Sequence, residues 1–167
     1  MIDYKKDGID HINIYSKGKT PLGKFLSNFA YAEIETEDGE FVSVEGYWYW
    51  LLCGSDPKTA TKEREGLRLV FGFDAKNLGR KILEAQDSLD ERKVDSETDF
   101  QRKIKAAIKF KIDNNPKYKS ELAKCTLPFE HYYVFYGKVK EPTSHRWIID
   151  YLDELRKEYG KMSSLQT

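Results

Sequence analysis

Cysteine is scarce in this chain, with two in 167 residues. Cys53 and Cys125 lie far apart and outside any CxxC spacing. That argues against a disulfide framework and against structural zinc, and it points to a reducing compartment. Their expected role is that of small buried hydrophobes. Long apolar runs are missing as well. None approaches the roughly 18 residues that a membrane span needs, and no signal peptide precedes the charged amino terminus. A cytoplasmic protein with no membrane partner is expected. Net charge is also lacking: 28 basic residues meet 28 acidic ones, so no global field draws the chain to nucleic acid or lipid. The strong short motifs are absent, with no P-loop, dinucleotide-binding glycine fingerprint, HExxH or nucleophile elbow. His11, His131 and His145 are scattered without ligand spacing, so neither a metal nor a cofactor is expected.

Aromatics are abundant, at 14% with eleven tyrosines. Tyrosine suits places where one end of a ring stays wet. Such rings would wall a flat ligand, or equally fill an aromatic-rich core. The length fits one domain with a sizeable core. The stretch Phe25 to Trp50 is the most organised. Asp38-Gly39 is a turn signal between two alternating runs, predicting a hairpin with strands near Ala30 to Thr36 and Glu40 to Ser43. Val44, Tyr47, Trp48 and Leu51 then recur at helical spacing. Ser43 is the expected N-cap, which places Glu45 in the first turn, where the helix dipole favours a carboxylate.

Elsewhere the patterns predict a strand over Ile9 to Ser16 and a turn-rich loop over Lys17 to Gly23. Helices follow over Thr59 to Phe73 and over Asp74 to Ala85, then a polar connection from Gln86 to Thr98. The clearest helix spans Asp99 to Asp113, with Phe100, Ile104, Ala107, Ile108 and Ile112 on one stripe and the basic residues opposite. Pro116 can open the next helix at its first position. Glu130 to Val139 reads as one strand, and His145 to Tyr159 as a closing helix with a frayed tail from Lys161. The fold class is α+β, a mostly helical single domain with a few short strands and a core of about residues 9 to 157.

Two carboxylates stand among aromatics, Glu45 first and Glu130 second. A single carboxylate can activate water or stabilise an adjacent cation, the chemistry by which glycosidic bonds are cleaved. The row Arg102, Lys103, Lys105, Lys109 and Lys111 could touch phosphates or simply be a solvated helix face.

The order of short motifs resembles the NADAR family of YbiA-like proteins. Ile12 to Ser16 is similar to its opening strand, and Phe25 with Ser27-Asn28-Phe29 to the element that follows. Ser43-Val44-Glu45-Gly46-Tyr47-Trp48 resembles the family's SxEHYFQAxK segment, with Gly46 in place of histidine. Ala75 to Arg80 (AKNLGR) resembles an A-x-x-x-G-R element, Phe100 to Phe110 a helix ending in Lys-Phe, and Tyr136-Gly137 a Trp-Gly pair. The tryptophan that precedes the family's long helix is missing. Lys138 to Trp147 stands where the family has a glycine-rich segment, with Arg146 near its asparagine. The resemblance implies an N-glycosidase acting on a ribosylated nucleotide: a phosphorylated riboflavin-pathway intermediate, or ADP-ribose on guanine, with ADP-ribosylated nucleic acid a further candidate. It implies Glu45 as the catalytic residue. Ser27, Asn28, Phe29, Tyr47, Trp48, Arg80, Glu130 and Tyr136 are the implied substrate contacts, Arg80 as a phosphate contact. The departures fall where sugar or phosphate would be held and imply a changed substrate. The setting implied is bacterial or bacteriophage. The rival class is a module that binds a nucleotide or ADP-ribose without turnover, and a third reading is an interaction domain with its aromatics in the core.

Overall fold

The computed structural model describes residues 1–53, 61–85, 98–142 and 144–165. Its architecture is α+β, with seven helices and six short strands among the described residues. In chain order these are β1 (Ile12–Asn13), α1 (Pro21–Leu26), β2 (Ile34–Thr36), β3 (Gly39–Phe41), α2 (Val44–Leu52), α3 (Thr61–Gly66), α4 (Gly72–Ala85), α5 (Thr98–Asp113), α6 (Pro116–Lys124), β4 (Phe129–Glu130), β5 (Tyr133–Phe135), β6 (Lys138–Lys140) and α7 (Arg146–Leu165). No helix among the described residues is long and apolar enough to cross a membrane. The chain divides into two compact units, Asn28–Lys111 and Met1–Ser27 with Ile112–Thr167.

The Asn28–Lys111 unit holds the expected hairpin, β2 against β3 in antiparallel register with Ile34 opposite Phe41. Its strands are shorter than the alternation predicts. Gly39 turns at φ +111°, where a Cβ would meet the Arg68 guanidinium at 2.6 Å. Helix α2 begins as expected after Ser43, whose Oγ accepts from the Gly46 amide at 2.9 Å. The helix expected over Thr59 to Phe73 is broken. Its start lies outside the described residues, α3 gives way to a 3₁₀ turn over Leu67–Leu69, and Val70 is extended. Gly72, inside the stretch expected to be the first of two helices, opens α4 in the left-handed region at φ +60°. Glycine carries no steric cost there. Asp74, where that second helix was expected to start, therefore lies in the first turn of α4. The polar connection expected over Gln86 to Thr98 lies outside the described residues up to 97, and Thr98 already belongs to α5.

Helix α5 buries the predicted stripe of Phe100, Ile104, Ala107, Ile108 and Ile112. Lys111 departs from the expected solvated face, being fully buried. Removal from water pushes its ammonium down to about 7.

In the other unit the strand expected over Ile9 to Ser16 shrinks to two residues, paired in parallel with β4. Its neighbours are occupied by side chains. Asn13 donates from Nδ2 to the Tyr132 carbonyl at 3.1 Å and accepts from the Tyr132 amide at 3.0 Å, so a buried amide carries the ladder one step further. Asp7 accepts from the Asn13 and Lys19 amides. His11 bridges Asp10 and the Tyr132 hydroxyl, at 2.6 Å each. The loop expected over Lys17 to Gly23 contains the start of α1. Thr20 caps it by accepting from the Gly23 amide, and Pro21 takes the first turn. Pro116 likewise opens α6, which packs on α7.

The single strand expected over Glu130 to Val139 is three strands. β5 and β6 form a hairpin around Tyr136 and Gly137, at φ +48° and +74°. Positive φ at both central residues of a two-residue loop is the type I′ turn that matches strand twist. A bulky residue at the first of them costs on the order of 1–2 kcal/mol. The tail expected to fray from Lys161 continues α7 to Leu165.

Candidate active site

Glu45 sits half-buried in the first turn of α2, and its backbone is held from both sides. Its amide donates to the Asn28 carbonyl at 3.0 Å. The cap serine beside it is fully buried, with its hydroxyl donating to the Val70 carbonyl at 2.9 Å while accepting from Gly46. Two of the amides that a helix start leaves open are thus satisfied in a fixed geometry. Gly46 is required by this arrangement. A Cβ there would stand 2.4 Å from the Leu67 carbonyl and 3.3 Å from that of Val70. The 67–70 backbone fills the space a side chain would need, which gives Gly46 a physical cause.

The segment 28–31 runs beside the 70–73 segment, with the Gly72 amide donating to the Phe29 carbonyl at 3.0 Å. Their rings pair edge to face, Phe29 with Phe73 at 5.1 Å and Tyr31 with Phe71 at 5.5 Å between centroids. Tyr31, Phe71 and Phe73 are about half exposed, at 54%, 49% and 52%. Asn28 contributes a further feature. Its Oδ1 is buried and has no hydrogen-bond partner among the described residues. An unmet buried acceptor costs about 1–3 kcal/mol unless a ligand or water supplies a donor.

Tyr47 and Trp48, which follow Glu45 on α2, are buried. Tyr47 is fully buried against Phe41, and its hydroxyl donates to Asp38 Oδ2 at 2.7 Å. Lys103 donates to the same oxygen at 3.0 Å. Burial alone would raise the Asp38 carboxyl, but these two donors hold it below the usual carboxylate range. Trp48 is buried edge-on to Phe100 at 4.8 Å. Both rings, implied as substrate contacts, are buried in the core. Arg80 is exposed on α4, next to Gly79. A Cβ on Gly79 would stand 2.1 Å from Cγ of Tyr49, so α2 and α4 meet where only glycine fits.

Ser27, Glu130 and Tyr136 belong to the other unit. Ser27 is buried at the end of α1. Glu130 is half-buried on β4, with Arg146 Nη1 at 3.7 Å from its carboxylate. Tyr136 stands fully exposed at its hairpin tip. Burial pushes the Cys53 thiol up to about 11, which makes it a packing group rather than a nucleophile. Among the described residues no three His, Cys, Asp or Glu side chains converge as a metal site requires.

Sequence reasoning missed Phe71 and Phe73. Their signal was available as two aromatics flanking Gly72 in a stretch read as helix. It was hidden because the extended residue between α3 and α4 has no local marker.

No family model matches the chain. No curated protein matches it either. Among solved structures, the NMR structure of the Escherichia coli protein YbiA is similar, with a TM-score of 0.62 and 19% identity over 99% of this chain and 97% of that one. The fold is YbiA-like. That likeness spans the segments carrying Glu45, Asn28 and Arg80, but at such identity it speaks for the backbone alone.

Proposed function

We propose that this chain is an N-glycosidase that hydrolyses the bond between C1′ of a ribose and the nitrogen of a base or amine in a nucleotide-type substrate. The ADP-ribosyl-guanine and riboflavin-intermediate classes are the candidates. The observation that carries the reading is the pairing of Asn28 with Glu45. One backbone hydrogen bond ties the residue that carries a half-buried carboxylate to one whose buried amide oxygen has no donor among the described residues. A ribose hydroxyl is a donor of the required kind. In the reaction the C1′–N bond breaks with its electron pair leaving on nitrogen. Water adds to C1′, and Glu45 takes the water's proton or stabilises the cationic sugar. The leaving nitrogen takes a proton from solvent, and the water's proton returns to solvent. The sum is one water consumed for a free ribose hydroxyl and a free N–H. The half-exposed rings of Phe71, Phe73 and Tyr31 give a flat leaving group a surface, and Tyr47 and Trp48 keep the floor rigid.

The test is incubation of wild type and Glu45→Gln with ADP-ribosylated guanosine, ADP-ribosylated DNA and phosphorylated ribosylaminopyrimidines, read by mass spectrometry for free base or amine. Product from wild type alone is expected, with ligand affinity of the variant within a few-fold. Equal product from both would remove Glu45 from the chemistry. A thermal shift with ADP-ribose but no product from any substrate would replace the enzyme by a binding module.

A further inference from the structure

The β5–β6 hairpin has a face that the fold does not use. Register places Tyr133 opposite Lys140 and Phe135 opposite Lys138. Directly opposed residues share a face, so two aromatic rings and two ammonium groups lie together on it. Val134 and Val139 take the other side. Tyr133 is half-buried, anchored edge-on to Tyr15 at 5.0 Å and His131 at 5.2 Å. Beyond it everything opens to solvent. Phe135 is 56% exposed and Tyr136, at the tip, is wholly so, and both lysines are exposed. Among the described residues no carboxylate pairs with Lys138 or Lys140. A tyrosine held in the left-handed region with no packing return is a feature that folding alone would remove.

The surroundings match in charge. The unit that carries the hairpin has 14 basic against 11 acidic residues, although the chain as a whole is neutral. Rings alternating with unpaired cations on a rigid ribbon match one chemistry well. Unstacked bases lie on the rings while the sugar–phosphate chain follows the lysines, which stand about 6.6 Å apart along their strand. A membrane-seeking element would instead gather its apolar side chains on one face and its cations on the other. Here one lysine directly opposes Tyr133 and the other opposes Phe135.

We infer that the β5–β6 hairpin docks a short single strand of nucleic acid, with Phe135 and Tyr136 as stacking platforms and Lys138 and Lys140 as phosphate contacts. Two rings suffice for about two bases. This surface is argued independently of any reaction at Glu45.

The experiment is fluorescence anisotropy of a labelled oligothymidylate of about ten nucleotides with the full chain at about 50 mM salt. Binding is expected, and it should weaken at least about tenfold in the double variant Phe135→Ser/Tyr136→Asn. In Lys138→Gln/Lys140→Gln the slope of log affinity against log salt should fall by about 1.4, near 0.7 for each phosphate that is no longer neutralised. Neither lysine holds an ion pair among the described residues, so this variant stays informative if the aromatic one melts early. Absence of binding by wild type would overturn the inference. So would a double variant that melts like wild type and binds equally well, or a salt slope unchanged by removal of the lysines. Partition onto anionic phospholipid vesicles without oligonucleotide binding would also overturn it and give the hairpin to a membrane.

Discussion

The two units of this protein solve the same problem differently. The Asn28–Lys111 unit is built by close backbone approach. Gly46 lets the 67–70 backbone reach α2, and Gly79 lets Tyr49 reach α4. The unit formed by the chain's two ends is built by buried polar bridges, with Asn13 and His11 joining segments more than a hundred residues apart and Asp7 holding the amides of Asn13 and Lys19. Charge divides too, with 14 basic to 17 acidic residues in the first and 14 to 11 in the second. Close packing suits the site proposed at Glu45, which would need one carboxylate held still. Polar bridging suits segments far apart in sequence, because an unmatched buried amide penalises a wrong pairing. The lesson is that the same marginal stability can rest on shape in one place and on hydrogen-bond matching in another.

That contrast is breakable, and the largest effect should come from shape. Gly79→Ala puts a methyl 2.1 Å from the Tyr49 ring and should cost about 3 kcal/mol in urea unfolding. Tyr49→Leu in the same chain should recover part of it. A loss below about 0.5 kcal/mol would mean that α2 and α4 relax freely and that close approach does not constrain this unit. Slightly smaller is the effect expected in the other unit. Asn13→Leu removes both bonds to the Tyr132 backbone and strands a buried amide and carbonyl, for about 2–3 kcal/mol. Asn13→Asp should fare no better, because a carboxylate accepts but cannot donate to the carbonyl. A neutral Asn13→Leu would show that apolar packing suffices there as well.

Lys111 sharpens the comparison from the side of charge, being a fully buried ammonium in a unit otherwise organised by packing. Its folded pKa is pushed down to about 7 from the usual lysine range. Between the two values the unfolded chain binds more protons, so stability rises with pH across that window and the rise ends near the unfolded value. Relative to Lys111→Met, wild type should gain about 2 kcal/mol between about pH 7 and pH 9. Parallel stability curves for the two proteins would show that Lys111 keeps its charge solvated.

How much of this was legible beforehand depended on whether the cause was local. The Ser43 cap, the Asp38-Gly39 turn and the α5 stripe were readable because each is decided by residues a few positions apart. The start of α1 was equally local, in Thr20-Pro21, but the crowd of turn residues around it reads as loop. Gly46, Gly79 and Asn13 were not readable. The atoms that make them necessary belong to Leu67, Tyr49 and Tyr132, and nothing nearby in sequence announces those approaches. The position of Glu45 was legible as a helix first turn. The half-exposed rings of Phe71 and Phe73 were not, since they depend on the break between α3 and α4.

The smallest expected effect has the opposite sign from all the others. Tyr136 sits at φ +48° in the first central position of a type I′ turn, which asparagine adopts readily and tyrosine does not. Its ring is fully exposed, so replacing it removes no packing. Tyr136→Asn should therefore stabilise the protein by about 1 kcal/mol, seen as a rise of a few degrees in Tm. Under the docking inference the same substitution weakens oligonucleotide binding. A variant that is more stable and binds less well would show that the turn carries its tyrosine for a partner. A variant that is destabilised would mean that the ring packs in solution, and the surface face described above would not be free.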